Sequence, residues 1–260
     1  MQERDFSPSL LSLFRLSLTL QKLHTMKNLL LASTSTLHGQ EYLEYLLPEI
    51  KSHFKGCRQI IFIPYARAGG ITHDDYTDIA RKAFLKVGLN LTGIHEFSDP
   101  AGAISTADGF FTGGGNTFLL VRELYRNEIL TPLKNAISRG IPYLGTSAGT
   151  NIAGLDMKTT NDMPIVYPPD FRTLGLIPFN INPHYLDPDP GSTHKGETRE
   201  TRIREFHKFN PQPVVGLREG SWLEVKNGDV RLKGAPSARI FECGKAPYEL
   251  EPESLLNDLN

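Results

Sequence analysis

Ser147 stands between two glycines in Gly145-Thr146-Ser147-Ala148-Gly149, directly after the apolar run 141–144. A buried strand that ends in Gly-x-Ser-x-Gly and turns at once into a helix is a nucleophile elbow. The turn is too tight for side chains on both flanks, so glycine brackets the serine. It lifts the hydroxyl clear of the sheet and leaves the next backbone N–H groups at a helix N-terminus, where they can stabilise an oxyanion.

A serine hydroxyl is a weak nucleophile until a base takes its proton. Of the eight histidines, His184 in Ile181-Asn182-Pro183-His184 is the first candidate, with His194 in the adjacent loop as its rival. His184 follows a short apolar run downstream of the elbow. That position predicts that it meets Ser147 at one rim of a shared sheet. A third group should orient the imidazole and stabilise its cation. Two acids compete for that role. Asp162 in Thr160-Asn161-Asp162-Met163-Pro164 gives the chain order Ser-Asp-His, and Glu219 in Leu217-Arg218-Glu219-Gly220 gives Ser-His-Glu. Sequence does not choose between them.

Gly113-Gly114-Gly115-Asn116-Thr117 follows another apolar run and opens a helix. Its backbone is placed to supply one oxyanion donor, with the Ala148 N–H as the other. It lacks Gly-Lys-[Ser/Thr], so it is no Walker loop, and it is not a Gly-x-Gly-x-x-Gly dinucleotide fingerprint. No His, Cys, Asp or Glu cluster has metal-ligand spacing, so neither a metal nor a cofactor is expected.

The elements that must position these groups alternate along the chain. Apolar runs at 29–32, 59–64, 89–94, 110–112 and 141–144 read as buried strands. Between them, 41–54, 74–87 and 116–138 carry apolar residues at helical spacing, the last with a break expected near Thr131-Pro132. Continuous apolar strands alternating with amphipathic helices predict an α/β fold, a mostly parallel sheet with helices on both faces. Residues 155–193 are rich in Pro, Asn and Asp, and a loop region of that length inside a domain is usually functional. A charged helix at 195–209 follows, then short strands near 214–217, 222–225, 230–232 and 239–241. Asn227-Gly228 marks a hairpin, so the domain is expected to finish in antiparallel strands.

The 260 residues, with 39% hydrophobic and 22% charged content, suit a globular protein with a substantial core. A net charge of −1 gives no reason to expect nucleic acid or an anionic membrane as partner. The two cysteines, Cys57 and Cys243, read as free thiols in a reducing cytoplasm. Residues 1–25 contain an apolar run that Arg15 interrupts, and no cleavage site follows. They are expected to be a disordered extension or the product of an upstream mis-assigned start. The expected layout is then a single catalytic domain over 26–245 and a tail over 246–260.

Several longer motifs occur in order: Gly-Gly-Gly-Asn-Thr-Phe, Gly-Thr-Ser-Ala-Gly, Thr-Thr-Asn-Asp-Met-Pro-Ile-Val, Ile-Asn-Pro-His-Tyr and His-Lys-Gly-Glu-Thr-Arg. Together, over about residues 27 to 243, the chain resembles the peptidase E (α-aspartyl dipeptidase) family. The resemblance implies a fold like that of class I glutamine amidotransferases, with serine in place of their cysteine. It also implies metal-free cytoplasmic hydrolysis of small dipeptides with N-terminal aspartate. The chain itself is expected to be a monomer or homodimer. Carried over, Ser147 is the nucleophile, His184 the base, and Gly115 and Ala148 the oxyanion donors. The family leaves both Asp162 and Glu219 open as the acid. Amidotransferases carry Glu two residues after their histidine, and here Leu186 stands there. An aspartyl substrate needs a cation, and Arg is the preferred type because its planar fork binds carboxylate bidentately. Arg199 is the first choice, with Arg202 and Lys195 behind it. The alternatives are a cyanophycinase-like hydrolase of aspartate–arginine polymer and a non-catalytic binding domain on the same fold.

Overall fold

In the computed structural model of the chain, residues 27–188, 191 and 196–259 are described; the extension read at 1–25 lies outside them. The apolar runs form five parallel strands: β1 (Leu29–Ala32), β2 (Ile60–Ile63), β3 (Leu91–Gly93), β4 (Gly109–Thr112) and β5 (Tyr143–Thr146). Each of β1, β2, β4 and β5 is buried along its whole length, which is why these strands read as unbroken apolar runs rather than as alternation. Alternation reappears in where the side chains go. Phe110 joins the core on one face of the sheet and Phe111 the core on the other, as the two-residue period of a strand requires.

Helices α1 (Leu47–His53) and α2 (His73–Leu85) follow β1 and β2, and their apolar residues pack with Phe111 and Leu144. Thr72 and Asp75 start α2 with a reciprocal capping box. After β3 come α3 (Pro100–Thr106), then α4 (Thr117–Arg126) and α5 (Leu130–Ser138) between β4 and β5. The break between α4 and α5 falls at Asn127–Ile129, earlier than expected, with Glu128 at φ 55°. Pro132 lies inside the first turn of α5, where a missing N–H costs no intrahelical bond.

Helix α6 (Ala148–Asn151) opens immediately after Ser147. The chain then runs through 152–179 to β6 (Asn180–Pro183), and α7 (Arg199–Phe206) precedes β7 (Val214–Leu217). β8 (Ser221–Lys226) and β9 (Asp229–Gly234) form the hairpin expected at Asn227-Gly228, both residues at positive φ. They extend the parallel sheet antiparallel to β1, giving the order β3-β2-β4-β5-β1-β8-β9.

The expectation of one shared sheet is corrected here. β6 joins a second, four-stranded sheet in the order β11-β10-β7-β6, with β10 (Ala238–Phe241) and β11 (Tyr248–Leu250). The physical reason is that the free edge of β1 is already paired with β8, Leu29 opposite Val225. β6 therefore pairs in parallel with β7 instead, Asn180 opposite Val214. The second sheet packs against the first: Ile181, Val215, Leu217 and Ile240 share one core with Leu29, Leu31 and Phe110. Its other face, with Tyr185, Val214 and Phe241, is covered by Ile203 of α7. The segment read as a tail is packed as well, through β11 on β10 and the buried Leu256 and Leu259.

Candidate active site

The chemistry gathers at the C-terminal ends of the strands, where connecting loops are free to present side chains. Ser147 follows β5 with φ 54° and ψ −112°, a conformation L-residues rarely adopt. The flanking glycines are obligatory. A Cβ on Gly145 would lie 2.5 Å from the Gly149 carbonyl oxygen, and one on Gly149 would lie 2.2 Å from that of Thr112. The Ser147 N–H donates to the Ala32 carbonyl at 3.2 Å, which fixes the elbow to β1.

His184 follows β6, itself at φ 52°. Its Nε2 lies 3.0 Å from Ser147 Oγ, and its Nδ1 lies 2.6 Å from Glu219 Oε1. A proton held on Nδ1 and donated to Glu219 leaves the Nε2 lone pair to accept from the serine hydroxyl. Glu219 follows β7, next to β6, so one sheet carries both groups. Ser147 comes from the other sheet.

Three side chains from outside the smaller sheet bind it at this point. The buried Ser33, just after β1, accepts the His184 N–H at 2.9 Å and donates to the Leu217 carbonyl at 2.7 Å. Asn151 of α6 donates to the Ile181 carbonyl at 2.8 Å. Asn161 donates to the Pro183 carbonyl at 2.7 Å and is held in turn by Asn182.

Asp162, the other candidate acid, lies elsewhere in the site. Its Oδ2 accepts from the Thr117 N–H at 2.7 Å, from the Thr117 hydroxyl at 2.7 Å and from the Thr160 hydroxyl at 3.0 Å. It ties the first residue of α4 to the 155–179 segment, away from the Nδ1 that Glu219 occupies.

Ser147 and His184 open into a cleft of about 430 Å3, lined also by Gly114, Gly115, Ala148, Asp162, Arg67 and Arg199. Ala148 is the first residue of α6, so its N–H has no carbonyl to meet within the helix. Gly115 lines the same cleft at φ 143°, and a Cβ there would lie 2.3 Å from the Ala66 carbonyl oxygen. Glycine is therefore required there by the close approach of the Ala66 backbone. Among the described residues no group of three His, Cys, Asp or Glu could hold a metal ion.

The sequence profile of peptidase family S51 matches residues 29–233, which include every one of these groups. The chain belongs to peptidase family S51. It is 52% identical over 232 residues to peptidase E of Streptomyces coelicolor, covering 89% of this chain and 94% of that one. It is 45% identical over 229 residues to a Drosophila melanogaster protein named "Probable alpha-aspartyl dipeptidase", covering 87% and 94%. The solved structure of a peptidase from an actinobacterium superposes with a TM-score of 0.64 at 16% identity, covering 90% of this chain and 97% of that one, and so shares the fold.

In this S51 peptidase, the three cations expected near the substrate differ in placement. Arg199 lines the cleft, at the start of α7 behind its Thr198 cap. Burial, and then the neighbouring Arg202, push its pKa below the ordinary value, while Asp162 acts in the opposite direction. Arg202 is exposed and lies 3.7 Å from Glu197, outside the cleft. Lys195, like the rival base His194, lies outside the described residues. Sequence reasoning missed Arg67 and Ser33. Both follow parallel strands at their C-terminal ends, and that position was the available signal.

Proposed function

We propose that this S51 peptidase is a serine dipeptidase that cleaves after an N-terminal aspartate through an acyl-enzyme, in the cytoplasm. The hydrogen-bonded chain from Ser147 through His184 to Glu219 carries the proposal. Ser147 attacks the carbonyl of the N-terminal residue as His184 takes its proton, and Glu219 stabilises the imidazolium. The oxyanion is bound by the N–H groups of Gly115 and Ala148. His184 then protonates the leaving amine, and water, activated by the same imidazole, releases aspartate.

The names of the relatives supply the substrate class, and the Arg199 guanidinium in the cleft supplies a matching charge. The same names disfavour a polymer hydrolase. The aligned triad disfavours a domain without turnover. Two unpaired thiols, Cys57 and Cys243, suit a reducing compartment.

The test is hydrolysis of Asp-Leu, Leu-Leu and aspartate–arginine polymer by the purified chain, together with trapping of an acyl adduct on Ser147. Turnover of Asp-Leu alone with an adduct at Ser147 is the expected result. Preference for the polymer, or turnover without an adduct at that serine, would overturn the reading.

A further inference from the structure

An Asp-X dipeptide carries three charges: an α-ammonium, a side-chain carboxylate and a terminal carboxylate. The cleft carries three fixed charges besides its triad, namely Asp162, Arg199 and Arg67. Asp162 and Arg199 both line this cleft, so it offers one ligand an anion and a cation. That pair matches the N-terminal residue, which brings its ammonium and its side-chain carboxylate on adjacent carbons. Arg67 is left over. Among the described residues, no carboxylate lies within ion-pair distance of it, and its Nε is buried without a hydrogen-bond partner. A buried, unpaired guanidinium N–H is costly unless something completes it.

Its position is fixed. The Arg67 guanidinium lies over the ring of Tyr76, 4.4 Å from the centroid. Tyr76 is itself buried, packed edge-on by Phe62 at 5.0 Å, and its hydroxyl donates to the Gly114 carbonyl at 3.2 Å. The preceding residue, Ala66, accepts the Asn116 N–H at 2.7 Å through its carbonyl. One stacked platform therefore holds the cation to the Gly114-Gly115 loop that faces Ser147. Arg67 and the oxyanion donor are set in register by the same contacts.

We propose that Arg67 binds the terminal carboxylate of the dipeptide and so measures the length of the substrate. This rests on the dipeptidase reading above. A planar fork stacked on an aromatic ring is preorganised for a bidentate carboxylate. In a tripeptide the carboxylate lies one residue farther from the scissile bond, beyond a cation held in place by Tyr76.

The experiment compares kcat/KM for Asp-Leu with that for Asp-Leu-amide, in which the terminal charge is gone. Wild type, Arg67→Met and Arg67→Lys are measured side by side. The acid-to-amide ratio is internal to each preparation, so it does not depend on how much of a variant folds. Wild type should favour the acid by about 10- to 100-fold, the range expected for a charge-assisted hydrogen bond. In Arg67→Met, which keeps the apolar stem over Tyr76, the ratio should fall to near one. Arg67→Lys should recover part of it. Equal ratios in wild type and Arg67→Met, or a wild type indifferent to the amide, would overturn the role of Arg67 while leaving the dipeptidase reading intact. A wild type that cleaves neither substrate would overturn that reading and this inference with it.

Discussion

Glu219 Oε1 lies 2.6 Å from His184 Nδ1, and the two residues are presented by neighbouring parallel strands of one small sheet, β6 and β7. Asp162 instead spends one oxygen on three donors from Thr117 and Thr160. The two acids thus have separate structural tasks.

Their substitution should separate those tasks. Glu219→Gln removes the charge that favours the imidazolium and should lower kcat by roughly 10²- to 10⁴-fold, in line with loss of a triad carboxylate elsewhere. Asp162→Asn should leave the Ser147–His184 pair in place, with a smaller loss in kcat and a clear rise in KM. Steady-state kinetics on Asp-Leu decide between them. A larger kcat defect in Asp162→Asn than in Glu219→Gln would reverse the assignment.

Ser147→Ala should abolish turnover to within the residual level left by the oxyanion donors, a fall of about 10⁴-fold or more. Stability should behave differently at the same position. Ser147 holds φ 54° and ψ −112°, which Ala tolerates no better than Ser. Ser147→Gly relieves that conformation and should unfold at a higher midpoint than Ser147→Ala, by on the order of 1 kcal/mol. Denaturant titration of the two variants checks the difference.

Arg199→Ala should raise KM for Asp-Leu by more than tenfold, since a charge-assisted contact to carboxylate is worth about 1.5–3 kcal/mol. A neutral ester substrate should be hit far less. Equal losses on both substrates would remove Arg199 from carboxylate binding.

His53 sets a pH dependence remote from the site. Burial, with a smaller contribution from Lys226, pushes its pKa down to about 4, against the hydrogen bond between Nε2 and the Tyr143 carbonyl. The folded chain then binds its proton only near pH 4, whereas the unfolded chain binds it below about 6.5. The contribution is fully present above the unfolded value and is lost as pH falls from about 6.5 towards 4. The residue as a whole keeps partial access to water, so the loss should be about 1–2 kcal/mol rather than the full span of the shift. Urea unfolding at pH 7 and pH 4.5, for wild type and His53→Gln, measures it. The variant should show the smaller drop.

Much of this site was legible in the residues because local geometry demands particular types. Gly145 and Gly149 flank Ser147 since any Cβ there would collide with backbone, and a collision of that kind leaves a mark in sequence. The five parallel strands were readable for a related reason, burial on both faces. The acid was not readable. Asp162 and Glu219 both sit beside turns, and only the pairing of β6 with β7 brings one of them to the imidazole. That pairing is set by which edge β8 has already taken, a fact about distant segments. Arg67 stands at a strand end, yet nothing in Tyr65-Ala66-Arg67-Ala68-Gly69 signals that Tyr76 lies beneath it.

Ser33 bonds to the His184 backbone and to Leu217 at once, although its own strand belongs to the larger sheet. Turnover is consequently hostage to the alignment of two separately hydrogen-bonded layers. A slip of about 1 Å between them is enough to cost some hundredfold in rate while every strand keeps its ladder. Catalytic activity is thus the most sensitive gauge of how well the halves of this protein mate, and it should fade in mild denaturant before far-ultraviolet dichroism records any change.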